Sequence, residues 1–242
     1  VVSLQHSYWS FNLYPDAGEG GGCLVRSVRP VPTGRPPNVK RARQEAARRA
    51  RAKLRRYCAA NRLNRLGPLT YAGEGCLDPL RLREDVGEFF RRLRDGSGGE
   101  AFPYVWTSEW HPGGPGLHVH FTVGRYVRER LIRDVWGRGI THIKRIQDLP
   151  VGSGPVEEAR RAASYLAKYV SKGLTENPTP GLHRYEVAQG FQPRVVRLTG
   201  DSEISVIAAA SDVMGAAPAR LWRSTGVEGW RGAPAYWCAW AG

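Results

Sequence analysis

The run Pro112-Gly113-Gly114-Pro115-Gly116 leaves the chain around it few choices. Proline fixes φ and glycine frees it, so neither a helix nor a strand continues through such a segment and the chain turns there. The flanking segments, Phe102–Trp110 and Leu117–Val123, are aromatic and β-branched. Each predicts a strand, and the pair predicts a β-hairpin. Side chains alternate along a strand, so His118 and His120 share one side while Val119, Phe121 and Val123 face the other.

Elements of helical and strand period surround the hairpin. Leu66–Ala72 predicts a short strand, with Pro68 placing it at an edge or cutting it short. Pro79–Arg94 predicts a helix with Leu82, Val86, Phe89, Phe90 and Leu93 on its buried side. Val127–Trp136 predicts a helix, Ile140–Ile146 a strand, Pro155–Lys172 a longer helix, and Ile204–Met214 a short one. The order strand, helix, strand, strand, helix, strand is that of a split βαβ, ferredoxin-like sheet. The expected fold class is therefore α+β, an antiparallel sheet with helices on one face. Before it, Val39–Asn61 predicts a helix whose apolar stripe runs through Ala42, Ala46, Ala50, Leu54 and Cys58. Glycines and prolines before residue 38 predict an irregular arm with one short strand near Tyr8–Leu13. The expected organisation is an arm and basic helix over 1–65, a catalytic domain over 66–200 and a tryptophan-rich extension over 201–242.

The chain carries 36 Lys and Arg against 22 Asp and Glu, a net charge of +14. Such a surplus points to a polyanionic partner, since neutralised phosphates release counterions. On the first helix Arg48, Arg49, Arg51, Lys53, Arg55 and Arg56 are candidates for contact with DNA, as are His183-Arg184 and the arginines between Arg125 and Arg138. Trp222, Trp230, Trp237 and Trp240 either pack on a sheet or stack on unpaired bases. Four cysteines without a C-x-x-C pair fit free thiols in a reducing compartment. No apolar run is long enough to span a bilayer, and the first residues do not resemble a secretory signal, so the expected site is the bacterial cytosol or nucleoid.

The chemistry-bearing residues cluster in two places. Imidazoles at i and i+2 on a strand can share one divalent ion, although an H-x-H on a polar sheet face looks the same in isolation. Upstream, Glu109 and His111 share a side of the partner strand, and either is placed to complete the set. A carboxylate there favours Mg²⁺ or Mn²⁺ with positions left open for phosphate oxygens. On the later helix, Tyr165 and Tyr169 lie four apart and so side by side, with Lys168 and Lys172 each three residues after a tyrosine. An ammonium beside a phenol favours the phenolate and neutralises a bound phosphate.

H-x-H on a strand, a carboxylate shortly upstream and Y-x-x-K-Y-x-x-K on a later helix resemble the H-U-H endonucleases, and most of all the rolling-circle replication initiators of plasmids and small single-stranded DNA phages. Pro68-Leu69-Thr70-Tyr71 is a loose match to that family's first motif. The resemblance implies sequence-specific nicking and joining of single-stranded DNA through a 5′-phosphotyrosine. Tyr169 would lead, Tyr165 would be a second nucleophile, and Lys168, with Lys172, would position phosphate. Mn²⁺ or Mg²⁺ would be held by His118, His120 and Glu109, or His111 in its place. It further implies an origin hairpin as ligand and a host helicase and polymerase as partners, because no G-x-x-x-x-G-K-[ST] motor motif is present. Single-strand transposases share the motif order, whereas relaxases reverse it. The reading from another class is a non-catalytic basic nucleic-acid-binding protein.

Overall fold

The computed structural model describes residues 7–26, 38–111, 113–146, 153–175 and 185–240, apart from the side chains of 169–175. In chain order its elements begin with β1 (Tyr8–Tyr14), β2 (Glu19–Val25), α1 (Val39–Ala60), β3 (Arg65–Leu69), α2 (Pro79–Asp95), β4 (Tyr104–Trp110) and β5 (Leu117–Val123). They continue with α3 (Glu129–Trp136), β6 (Lys144–Arg145), α4 (Pro155–Thr175), β7 (Glu186–Val187), β8 (Val196–Gly200), α5 (Glu203–Met214), β9 (Arg220–Arg223) and β10 (Ala235–Ala239). Two compact units result: Lys40–Gln192, and the two chain ends Val1–Val39 and Pro193–Gly242 together. Among the described residues no helix is long and apolar enough to cross a membrane.

The sheet of the central unit has the order β6-β3-β5-β4-β7, with all neighbours antiparallel. This is the mixed α+β, split βαβ arrangement expected, since β3 and β4 flank β5 and are joined through α2. Every residue of β5 is buried. Its odd positions, Leu117 to Val123, meet α2 and α3, where Phe121 lies edge-on to Phe89 at 5.5 Å and to Phe90 at 6.0 Å. On the opposite side Leu66 of β3 and Val105 of β4 pack against Leu54, Tyr57 and Cys58 of α1 and Ala163 and Leu166 of α4. Helices therefore cover both faces rather than one. The even positions of β5 are also withdrawn from water, and α1 and α4 supply that second cover.

Local signals account for the element ends. Asp78 caps α2 by accepting from the Leu80 amide at 2.8 Å, with Pro79 at the first helical position. In α1 the buried residues are Ala47, Leu54, Tyr57, Cys58 and Ala59, so the contact face drifts across the expected four-residue stripe, as 3.6 residues per turn requires. β3 is short yet interior. Pro68 offers no amide to a further strand, and Thr141 Oγ1 donates to its carbonyl at 2.7 Å where the β6 ladder has ended. The strand expected over Ile140–Ile146 is accordingly reduced to Lys144–Arg145 and a bridge at Thr141. One residue before Pro68, a Cβ on Gly67 would lie 2.3 Å from the His142 carbonyl oxygen, so only glycine allows that approach.

The terminal unit corrects the reading of the arm. Its sheet has the order β8-β1-β2-β10-β9, and α5 packs Val206 and Ala210 on one face with Phe11, Leu13, Tyr236, Cys238 and Trp240. The glycine run lies inside β2 rather than in an irregular loop. Cβ atoms on Gly20 and Gly22 would fall 2.3 Å and 2.9 Å from the Phe11 ring, so bare backbone makes the floor on which Phe11 stacks with Tyr236 at 5.2 Å. Residues 1–65 and 201–242, read from sequence as separate segments, thus share one sheet, while α1 belongs to the central unit. Of the tail tryptophans, Trp240 is buried and donates Nε1–H to the Ala216 carbonyl at 2.7 Å, whereas Trp222 stays exposed beside Trp230. Phe121→Ala should cost about 3–5 kcal/mol in urea unfolding of the full chain, the usual cost of emptying an aromatic site in a packed core.

Candidate metal centre

The β4–β5 hairpin brings the metal-ligating side chains together. Its loop is closed by the His111 amide donating to the Gly116 carbonyl at 2.9 Å. The Leu117 amide then donates to the Cys76 carbonyl at 2.7 Å. Gly116 holds φ at +78°, and a Cβ there would lie 2.5 Å from the Cys76 carbonyl oxygen, so this junction requires glycine. The resulting register sets Glu109 directly opposite His118 and Thr107 opposite His120. His118 Nε2 lies 2.9 Å from His120 Nε2 and 3.6 Å from Glu109 Oε1. One ligand atom from each of the three lies within 4.8 Å of the others. Two ligands at ~2.1 Å from one ion, at angles between octahedral and tetrahedral, are themselves ~3.0–3.4 Å apart. The residues present fit a divalent cation, and three protein donors leave coordination positions open.

All three side chains are almost withdrawn from solvent, with His118 at 7% and His120 at 9% exposed. His111, the other candidate ligand, sits past the end of β4. It is exposed, its ring centroid is 5.1 Å from that of His118, and its Nδ1 accepts from the Gly113 amide at 3.2 Å. Glu109 rather than His111 forms the candidate set with the histidine pair.

α4 approaches the same side of the sheet. The Tyr165 ring is 6.2 Å from that of His120, and Lys168 Nζ lies 5.6 Å from the Tyr165 ring centroid. The side chains of Tyr169 and Lys172 lie outside the described residues, as do His183 and Arg184. At its start α4 is moored by Glu158, which accepts from Asn64 and from Arg145 at 2.7 Å. Partial burial pushes the Glu158 carboxyl up, but the hydrogen bonds from Arg145 and Asn64 and the nearby charge of Arg65 outweigh it and hold the group below the usual carboxylate range. Nothing in the sequence marked this clamp, because Asn64 and Glu158 are far apart in the chain and unremarkable singly.

Residues 64–174, which contain the Glu109, His118, His120 set and Tyr165, match a family of replication-associated proteins, the ORF2 family. The similarity covers the central sheet and α4. No curated protein and no solved structure matches the chain.

The basic residues singled out from sequence fall into two groups. Arg48, Arg49, Arg51 and Lys53 are exposed on α1, and Arg55 and Arg56 are half-buried. Around α3, Arg138 is taken up by Asp85 at 3.0 Å and by Glu88, and Arg125 donates to the Ser97 carbonyl at 3.0 Å. These two arginines brace the fold. Tyr71 of the loosely matched first motif joins the same brace through a 2.9 Å hydrogen bond to Asp85, and burial pushes its phenol well above the usual range.

His118→Ala or His120→Ala should weaken Mn²⁺ binding by more than ~100-fold in calorimetric titration, exceeding the usual loss for an outer-shell residue. Because the Glu158 carboxyl is depressed in the folded state, its stabilisation is present above the unfolded carboxylate value and lost as pH falls through the lower folded one. Glu158→Gln should therefore lower Tm at neutral pH, with the difference from wild type shrinking below about pH 4.

Proposed function

We propose that the central unit is a rolling-circle replication initiator of the H-U-H type. In this reading it nicks and rejoins single-stranded DNA at an origin by tyrosine transesterification. The supporting observation is the meeting of Glu109, His118 and His120 with Tyr165 on one side of the sheet, within the span similar to replication-associated proteins.

Glu109, His118 and His120 would hold Mn²⁺ or Mg²⁺. When bound, the cation supplies Lewis-acid polarisation of the scissile phosphate and stabilises charge developing on it. The chain's own residues do the rest. Tyr169, in this assignment, attacks phosphorus through its phenolate oxygen, the bond from phosphorus to the 3′-oxygen breaks, and that oxygen leaves as a 3′-hydroxyl after taking up a proton. The 5′ end stays on the tyrosine as a phosphodiester, which conserves the bond energy for rejoining. Tyr165, one helical turn away, serves as the second nucleophile, so that cleavage and joining alternate between two neighbouring phenols. Lys168, with Lys172, balances phosphate charge beside them. The basic face of α1, with His183 and Arg184, contacts the origin DNA, and unwinding and synthesis fall to a host helicase and polymerase in the bacterial cytosol.

Oligonucleotides tiled from DNA flanking the gene, incubated with the full chain and Mn²⁺, should give an SDS-resistant protein–DNA adduct on the cognate sequence. The adduct should disappear in Tyr169→Phe and in the pair His118→Ala/His120→Ala, and persist at reduced yield in Tyr165→Phe. An unchanged yield in the histidine pair variant would remove the metal role. Loss in Tyr165→Phe with retention in Tyr169→Phe would reverse the order of the nucleophiles.

A further inference from the structure

On the face of the central sheet away from Glu109, His118 and His120, an open cleft runs along α2. Its two lobes, about 400 and 290 Å³, share Gly87 and Arg91. The inner lobe continues past Arg94 to a wall formed by Phe102, Tyr104 and Phe191.

Two features of the cleft are not explained by folding. Gly87 lies inside a seventeen-residue helix, where glycine is the least favourable residue after proline. Packing does not demand it: a Cβ there would meet only Arg91 Nη1, at an ordinary 3.5 Å. A side chain at this position would instead enter the cleft. The second feature is Arg91. Its neighbours on α2 are each matched to a carboxylate, Arg81 to Asp85 at 3.9 Å, Arg83 to Glu186 at 2.8 Å, Arg92 to Glu88 at 3.7 Å and Arg94 to Asp95 at 2.9 Å. Arg91 is exposed and pairs with no carboxylate among the described residues. An uncompensated guanidinium beside a glycine floor suits a phosphate whose backbone must come close to the helix. Partly exposed Tyr104 and Phe191 at the inner end offer apolar surface to bases, which only a single strand has free to give.

We propose that this cleft holds a second stretch of single-stranded DNA, with phosphate on Arg91 and bases against Tyr104 and Phe191. Tyr104 precedes Glu109 by five positions on β4, so the two side chains point to opposite faces and lie ~17 Å apart along the strand. The DNA held here is therefore not the segment at the metal centre. The assignment rests on the reading of the protein as acting on single-stranded DNA, but its test needs no cleavage.

Fluorescein-labelled oligothymidine is titrated by anisotropy in EDTA against the full chain carrying His118→Ala/His120→Ala. Adding Arg91→Gln should weaken binding about tenfold and lower the slope of log affinity against log salt by ~0.7, one phosphate's share on a single strand. Gly87→Gln should weaken binding similarly by filling the floor. Gly87→Ala should raise Tm, showing that the helix tolerates a side chain there, and the control Arg92→Gln should stay within about twofold of the parent. Unchanged affinity and salt slope in Arg91→Gln, or a loss seen with duplex DNA alone, would overturn the proposal. A wild-type chain that forms no adduct on any oligonucleotide would count against the nicking reading and leave this binding result standing.

Discussion

The complete burial of β5 sets the terms for the rest of the central unit. A strand with water on one side needs one helical layer, whereas this one needs two. α2 and α3 meet the side that carries Phe121, and α1 and α4 pack on the other. The histidines therefore sit on backbone held by ladder bonds to β3 and β4 and by side-chain packing on both layers. Two imidazole nitrogens kept 2.9 Å apart need that rigidity, since a loop able to move by an ångström would not preserve the spacing.

Much of this was legible in the sequence because the signals are local. Pro112 to Gly116 announced the hairpin, alternation put His118 and His120 on one side, and the periodicity of Pro79–Arg94 gave all five buried residues of α2. What escaped depends on pairings between distant segments. The choice between Glu109 and His111 turns on strand register, which the loop closure and the Cys76 bridge determine together. The second helical layer escaped because the α1 stripe of alanines and arginines reads as a solvated helix unless Val105 and Leu66 are known to lie opposite it. The glycine run of β2 was misread for a similar reason. Glycine lowers strand propensity in isolation, and only the rings of Phe11 and Tyr236 reveal why side chains are missing there.

Charge divides between structure and surface. Several arginines in the central unit serve the fold, Arg138 through Asp85 and Glu88 and Arg145 through Glu158. Net charge overstates the number of cations a phosphate can meet. Those exposed on α1, Lys168 over Tyr165, and Arg91 in its cleft remain at the surface where a phosphate can reach them.

The sheet shared by the two chain ends has a consequence for the order of synthesis. β1 and β2 leave the ribosome first, yet β2 pairs with β10 and Phe11 stacks on Tyr236, both made near the end of the chain. Lys40–Gln192 contains its own sheet and core and emerges complete in between. The early strands must therefore wait, with one ladder edge open and a half-formed aromatic stack, until the last strands arrive. A glycine-rich strand with few apolar side chains is a safer segment to leave waiting than a Val- and Ile-rich one, because it gives other chains little surface to adhere to. The same glycines that seat the aromatic rings thus also protect the nascent chain.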